Sequence, residues 1–185
     1  MGGPVPSHLL FNVILIERAS DEISQRSLTL FTNQARRAIG LRGDVSVRIT
    51  SSAELQELNR RFRRKDRPTD VLSFPAGSPE AAGDIAISYQ IAATNAKALG
   101  HTVMTELKIL ILHGLLHLAG YDHESDNGEM SRRESELRRQ FGLPLSLIER
   151  SQSSSLRGSL TGVNRPPKRA RKTAGLRGKG GGSPR

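Results

Sequence analysis

Three of the chain's five histidines, His113, His117 and His123, fall within eleven residues. His113 and His117 are four apart in an apolar stretch that reads as helix, so both imidazoles lie on one face, a turn apart. Gly120 ends that helix, and His123 comes six residues after His117, far enough for the chain to turn back beside the helix end. Polar rings on so apolar a helix need a reason, because burial without partners costs free energy. Ligation of one ion supplies it: three nitrogens with a fourth position open is the arrangement of a catalytic zinc ion, which acidifies water toward a pKa of ~7 and polarises substrate oxygens. The chain has no cysteine, so disulfides and thiolate sites are excluded and such a site must use His, Asp or Glu. One Zn2+ per chain is expected, although nickel or copper also accept three imidazoles. His8 and His101 lie outside the cluster and read as surface or capping residues.

The spacing His113-x3-His117-x2-Gly120-x2-His123 is that of the ligands in metzincin proteases, H-E-x-x-H-x-x-G-x-x-H. Those enzymes place a glutamate after the first histidine as general base, and here Gly114 stands there, which can neither take a proton nor orient water. The metal scaffold is retained and the protease base is not. Met130 reads as packing in a polar helix rather than as part of a metal turn. Glu124, directly after the last ligand, is a candidate proton acceptor; it is equally placed to favour the helix dipole that follows. Asp122 or Glu106 can fix a histidine tautomer, as metal-bound imidazoles require. Thr69, Asp70 and Asp84 read as turn and strand-end residues that cap backbone groups.

The elements that must position these groups alternate in type. Residues 11–17 (FNVILIE) form a β-branched strand, and a helix follows across Ile23, Leu28, Phe31, Ala35 and Ile39 until Gly40. Asp44 to Thr50 alternates Val45, Val47 and Ile49 on one face, the pattern of a half-buried strand. Ser51 and Glu54 make a capping-box signature for a helix carrying Leu55, Leu58 and Phe62. Arg63 to Asp70 is a polar loop, followed by strands at Val71–Phe74 and Asp84–Ser88. Two helices split near Gly100 come next, the second from about Thr102 to Leu118 and buried on nearly every side. A charged helix spans about Ser125 to Phe141, and Gly142-Leu143-Pro144 closes the folded part. No internal repeat is visible. The order predicts a single α+β domain over 1–150: a small mixed sheet packed on helices, with a central buried helix holding two of the histidines.

At 185 residues the chain has room for one compact domain. Its net charge of +10 is uneven: residues 151–185 hold nine of the 28 basic side chains and no acid, leaving 19 basic against 18 acidic before them. That tail, rich in Ser, Gly and Pro, is expected to be disordered, either as a solubilising segment or as an electrostatic tether to RNA through Lys168, Arg169, Arg171 and Lys172. The start of the sequence lacks the basic and apolar regions of a secretory signal, and no apolar run approaches a membrane span. A cytoplasmic protein without a membrane partner is expected. With two tyrosines and five phenylalanines there is little for a base-stacking platform, so an RNA partner would be held by its phosphates.

H-G-L-L-H-L-A-G-Y-D-H, His113 to His123, resembles the signature of the YbeY-type endoribonuclease family. A second stretch, Asn59 to Pro75 (NRRFRRKDRPTDVLSFP), is similar to the family's aromatic-Arg pair followed by K-D-x-P-T-[DN]-V-L-S-F, and Gly83-Asp84-Ile85 matches its G-D-I strand. Order and spacing agree across roughly residues 9 to 145, and the tail lies outside. The resemblance implies a metal-dependent, single-strand endoribonuclease that matures ribosomal RNA, notably the small-subunit 3′ end, and serves ribosome quality control. It implies His113, His117 and His123 as metal ligands and Arg63 as the functional arginine, with Lys65 beside it in substrate binding. The chemistry agrees: cleaving a phosphodiester needs negative charge stabilised, by the metal as Lewis acid and by a bidentate arginine grip on phosphate oxygens. Arg60 and Arg61, in the same basic run, read as a solvated helix end. A protease or amidase on the same scaffold, and a ribosome assembly factor with a structural metal, are the alternatives; a fourth protein ligand closing the site would mark the last.

Overall fold

The alternation of Val45, Val47 and Ile49 sends every second side chain of one strand inward, and all three are buried. That strand is the second from one edge of the sheet in a computed structural model that describes residues 14–16, 23–78, 80–123 and 125–145. The elements are β1 (Ile14–Ile16), α1 (Gln25–Ile39), β2 (Asp44–Thr50), α2 (Ser52–Arg63), β3 (Val71–Pro75), β4 (Ala81–Ser88), α3 (Tyr89–Leu99), α4 (Val103–Leu118) and α5 (Glu129–Gln140). The sheet runs β1-β2-β4-β3, with β1, β2 and β4 parallel and β3 antiparallel at the edge. The domain is α+β with a mixed sheet, as expected.

Four helices begin on a hydroxyl cap. Ser24, Ser51, Ser88 and Thr102 each accept the N–H three residues on, one of the donors a helix start leaves unpaired. The Ser51 box is only half formed, because Glu54 turns its carboxylate to Thr50 and to Arg48, 2.9 Å away, instead of back to the cap.

One face of the sheet carries Val45, Val47, Ile49, Ile85 and Ile87 into a core shared with Leu28 and Phe31 of α1 and with Leu107, Ile111, Leu112 and Leu115 of α4. Leu72 and Ala86, on the opposite face, pack with Leu55 and Leu58 of α2. Helix α4 is therefore a core helix, as its nearly unbroken apolar run requires. No single helix among the described residues is long and apolar enough to cross a membrane; α3 and α4 pass that test only together, across a 113° bend.

Three boundaries differ from the sequence expectation. β4 begins at Ala81, because Ala81 pairs with Asp44 and the Ala76 N–H reaches the Ala82 carbonyl at 3.1 Å. Asp84 consequently lies inside the strand, exposed and opposite Phe74, not at a strand end. Helix α5 begins at Glu129, since the Asp126 carboxylate gathers the N–H groups of Gly128, Glu129 and Met130 at 2.8–3.1 Å and so fixes the start. Arg63 is the last residue of α2, and the loop follows it. The expected strand residues 11–13 and 17, His8, Glu124 and the whole 151–185 tail lie outside the described residues.

Candidate metal centre

Helix α4 brings His113 and His117 to its C-terminal end with ring centroids 4.8 Å apart and Nε2 atoms 3.1 Å apart. Beyond it the Tyr121 N–H returns to the Leu116 carbonyl, and the reversal carries His123 to 5.2 and 5.5 Å from the other two rings. One nitrogen from each imidazole lies within 4.8 Å of the others, a grouping that can hold a metal ion.

The far side of each α4 imidazole decides what the near side offers. The Nδ1 of His117 lies 3.0 Å from the Tyr121 carbonyl, and the Nδ1 of His113 lies 3.0 Å from the Glu134 carboxylate. Both partners accept, so in the neutral rings each proton sits on Nδ1 and each Nε2 lone pair points into the site. Two lone pairs meeting at 3.1 Å repel unless a cation lies between them, so the arrangement suits ligation of one ion. Burial holds the His117 imidazole below its ordinary value of 6.5, and the charges of His113, His123 and Arg63 push the same way, against the raising effect of the Tyr121 carbonyl. His117 thus favours the neutral form that a metal needs.

Glu134 was not legible as part of this site. Its position on α5, 21 residues from His113, carries no spacing signal. Burial raises its carboxyl, but the bond from His113 and the charge of Arg138 outweigh that, and the net position is below 4.5. Glu106, one of the two acids expected behind the histidines, is engaged elsewhere: its carboxylate meets the His101 Nε2 at 2.7 Å, and both side chains are buried. His101, read as a surface or capping residue, is half-buried overall: it precedes the Thr102 cap and folds down onto the first turn of α4. Asp122 accepts from the Ser125 hydroxyl at 2.9 Å. Met130 is buried packing, as expected.

The histidines open on a cleft lined also by Asn59, Arg63, Lys65 and Arg67 and by residues 69–73, which lead into the edge strand β3. A second depression shares Arg63, Lys65, His117 and His123 and adds Asp122. The structure thus brings Arg63 and Lys65 to the histidines from a distance of some fifty residues in sequence. The loop that carries them is clamped. Arg64 ends α2 in the left-handed conformation, φ 57°, which costs an L residue about 1–2 kcal/mol. The Arg64 and Lys65 N–H groups close on the Asn59 carbonyl, and the buried Asn59 amide donates to the Arg67 carbonyl at 2.8 Å. Asp66 accepts from Gln56 at 2.8 Å. Among the described residues no acid pairs with Arg63, Lys65 or Arg67, whereas Arg60 is engaged by Glu57. Thr69 and Asp70 cap the start of β3, the Asp70 carboxylate taking the Val71 N–H at 2.9 Å.

Gly114 has a steric role as well as the missing base. A Cβ there would lie 2.9 Å from Ile85 and 3.1 Å from the Ser73 hydroxyl, which itself donates to the Gly114 carbonyl. Helix α4 rests directly on the sheet at this point, and a glutamate does not fit without movement.

Residues 13–142 match a family model described as Endoribonuclease YbeY. A protein of that description from Koribacter versatilis is 58% identical over 139 residues, covering 75% of this chain and 91% of the relative. One from Solibacter usitatus is 44% identical over 140 residues, 76% of this chain and 95% of the relative. A solution structure from Thermotoga maritima is similar with a TM-score of 0.52 at 30% identity, covering 85% of this chain and 99% of that one.

Proposed function

The chain belongs to the YbeY endoribonuclease family, and from that premise we propose that it is a zinc-dependent endoribonuclease that cleaves single-stranded RNA. Its substrate is ribosomal RNA, at the 3′ end of the small-subunit RNA, and its partner is the small subunit, on which it also acts in quality control in the cytoplasm. The observation that carries the reading is that Arg63 and three convergent histidines line one cleft, with the neighbouring cations free of acidic partners among the described residues.

The residues divide the work. His113, His117 and His123 would hold the ion, whose Lewis acidity stabilises charge on a phosphate oxygen. Arg63 is the catalytic residue of this chain: its fork binds two oxygens of the scissile phosphate and strengthens as negative charge grows there. Lys65 and Arg67 hold flanking phosphates and fix the register of the strand without reading its bases. Imidazole-only ligation favours zinc, and the exposure of His123 would leave a bound ion accessible to substrate. A peptidase reading is disfavoured because Gly114 stands where its glutamate base would be, and a Cβ there would crowd Ile85 and Ser73.

The test is incubation of precursor small-subunit RNA, free and within ribosomes, with wild type, His117→Ala and Arg63→Glu. Zinc-dependent cleavage by wild type, loss of bound metal in His117→Ala, and retained metal without cleavage in Arg63→Glu are expected. Unchanged processing by Arg63→Glu would remove that residue from the mechanism.

A further inference from the structure

Helix α5 contributes no expected ligand, yet it places a largely buried acid against one. The Glu134 carboxylate sits 3.0 Å from the His113 Nδ1 through one oxygen, and its other oxygen is held by Arg138, one helical turn on. Arg138 in turn donates to the Pro144 carbonyl at 3.3 Å. The side chains of Glu134 and Arg138 are only 13% and 11% exposed. An ion pair on a helix surface would not need this depth, and a buried carboxylate is costly unless its oxygens are occupied. Here both are, by two groups that constrain each other: Arg138 stops the carboxylate from rotating away, and the carboxylate keeps the His113 ring turned so that Nε2 faces the cleft. Leu137 and Met130, both fully buried, lock α5 in place.

We propose that Glu134 is a positioning residue of the metal site, fixing the tautomer and ring angle of His113, and that Arg138 holds it in that task. The proposal rests on the metal reading above. Its physical content is an asymmetry between the two α4 ligands. His117 is backed by a neutral carbonyl and His113 by an anion, so His113 is the stronger donor. Three neutral imidazoles leave the charge of a divalent ion uncompensated. Glu134 would supply one negative charge through the imidazole without itself ligating a bound ion.

The experiment is zinc titration against a competing chelator for the full-length metal-free chain, as wild type, Glu134→Gln, Glu134→Ala and Leu137→Ala. It is paired with thermal melting of the metal-free forms and nitrogen NMR of the His113 ring. Glu134→Gln keeps the shape and an acceptor but not the charge, and is expected to weaken zinc binding about tenfold, with Glu134→Ala nearer a hundredfold. In Glu134→Ala the metal-free His113 shifts toward the Nε2–H tautomer. Leu137→Ala loosens the packing of α5 and is expected to lower melting while leaving zinc affinity within about twofold, the scatter of ordinary context effects. Zinc affinity unchanged in both Glu134 variants overturns the proposal. So does an equal loss in Leu137→Ala, which would make the effect one of helix loosening. A wild-type chain that fails to bind zinc sinks the metal reading itself.

Discussion

The start of α4 and its end each hold a histidine against a glutamate, and the two pairs do opposite things. At the start, the Glu106 carboxylate takes the Nε2 of His101 at 2.7 Å, and the remaining Nδ1 is buried without a partner among the described residues. At the end, Glu134 takes the Nδ1 of His113 and leaves Nε2 facing a cleft, beside a second ring oriented the same way. The first pair is closed on itself and pins a helix start; the second offers a lone pair outward. Nearness of histidine to carboxylate is therefore not what marks a site. What marks it is which nitrogen the acid takes and where the other one looks.

Breaking the outer pair should give the largest effect. His113→Ala is expected to abolish zinc binding under conditions where wild type is saturated, since two remaining ligands rarely hold the ion, and metal analysis after gel filtration reads it. His101→Ala, in contrast, should leave zinc content unchanged and cost about 1–3 kcal/mol in chemical denaturation, the cost of leaving the buried Glu106 unpaired. A loss of metal in His101→Ala would collapse the distinction between the two ends. Between them, Gly114→Ala forces a methyl against Ile85 and Ser73 and should destabilise by about 1–3 kcal/mol, measurable by urea unfolding.

The smallest effect is in pH. A histidine whose folded pKa is depressed leaves the unfolded chain holding more protons, so stability is full above 6.5 and falls as pH drops below it. The metal-free chain should show this His117 loss first, then a separate loss below 4.5 as Glu134, also depressed, takes up its proton. Melting scans from about pH 8 to about pH 2 test the order, the upper loss setting in near 6.5 and the lower near 4.5, the ordinary values of the two groups. His117→Ala should remove the upper step alone.

Much of this was legible because it is local. The i, i+4 histidines, the Val45–Val47–Ile49 alternation and the Ser and Thr caps each announce themselves within a few residues. The approach of Arg63 to the histidines came from resemblance, since no spacing rule joins a helix end to another fifty residues away. Glu134 had no such help. A glutamate in an Arg- and Glu-rich helix reads as a solvated charge, and only the packing of α5 turns it inward. Glu106 misled for the converse reason: it shares the face of His113 in the helix, but His101, just ahead of the helix cap, takes it first. Asn59 was hidden because amide clamps on loops have no periodicity.

The clamp on residues 64–67 also sets how the molecule answers to salt. Asn59 and the left-handed Arg64 hold the cations Arg64, Lys65 and Arg67 in place around the single acid Asp66 before any RNA arrives, so the net repulsion among them is borne by the folded protein, while the substrate meets an already ordered surface. Added salt screens that repulsion and should raise the melting temperature. The same salt should weaken the proposed phosphate contacts, each cation engaged adding nearly one unit of slope to the fall of log affinity with log salt. Stability and substrate affinity should therefore move in opposite directions along one salt series, and conditions that make the protein easiest to handle are those in which it grips RNA least.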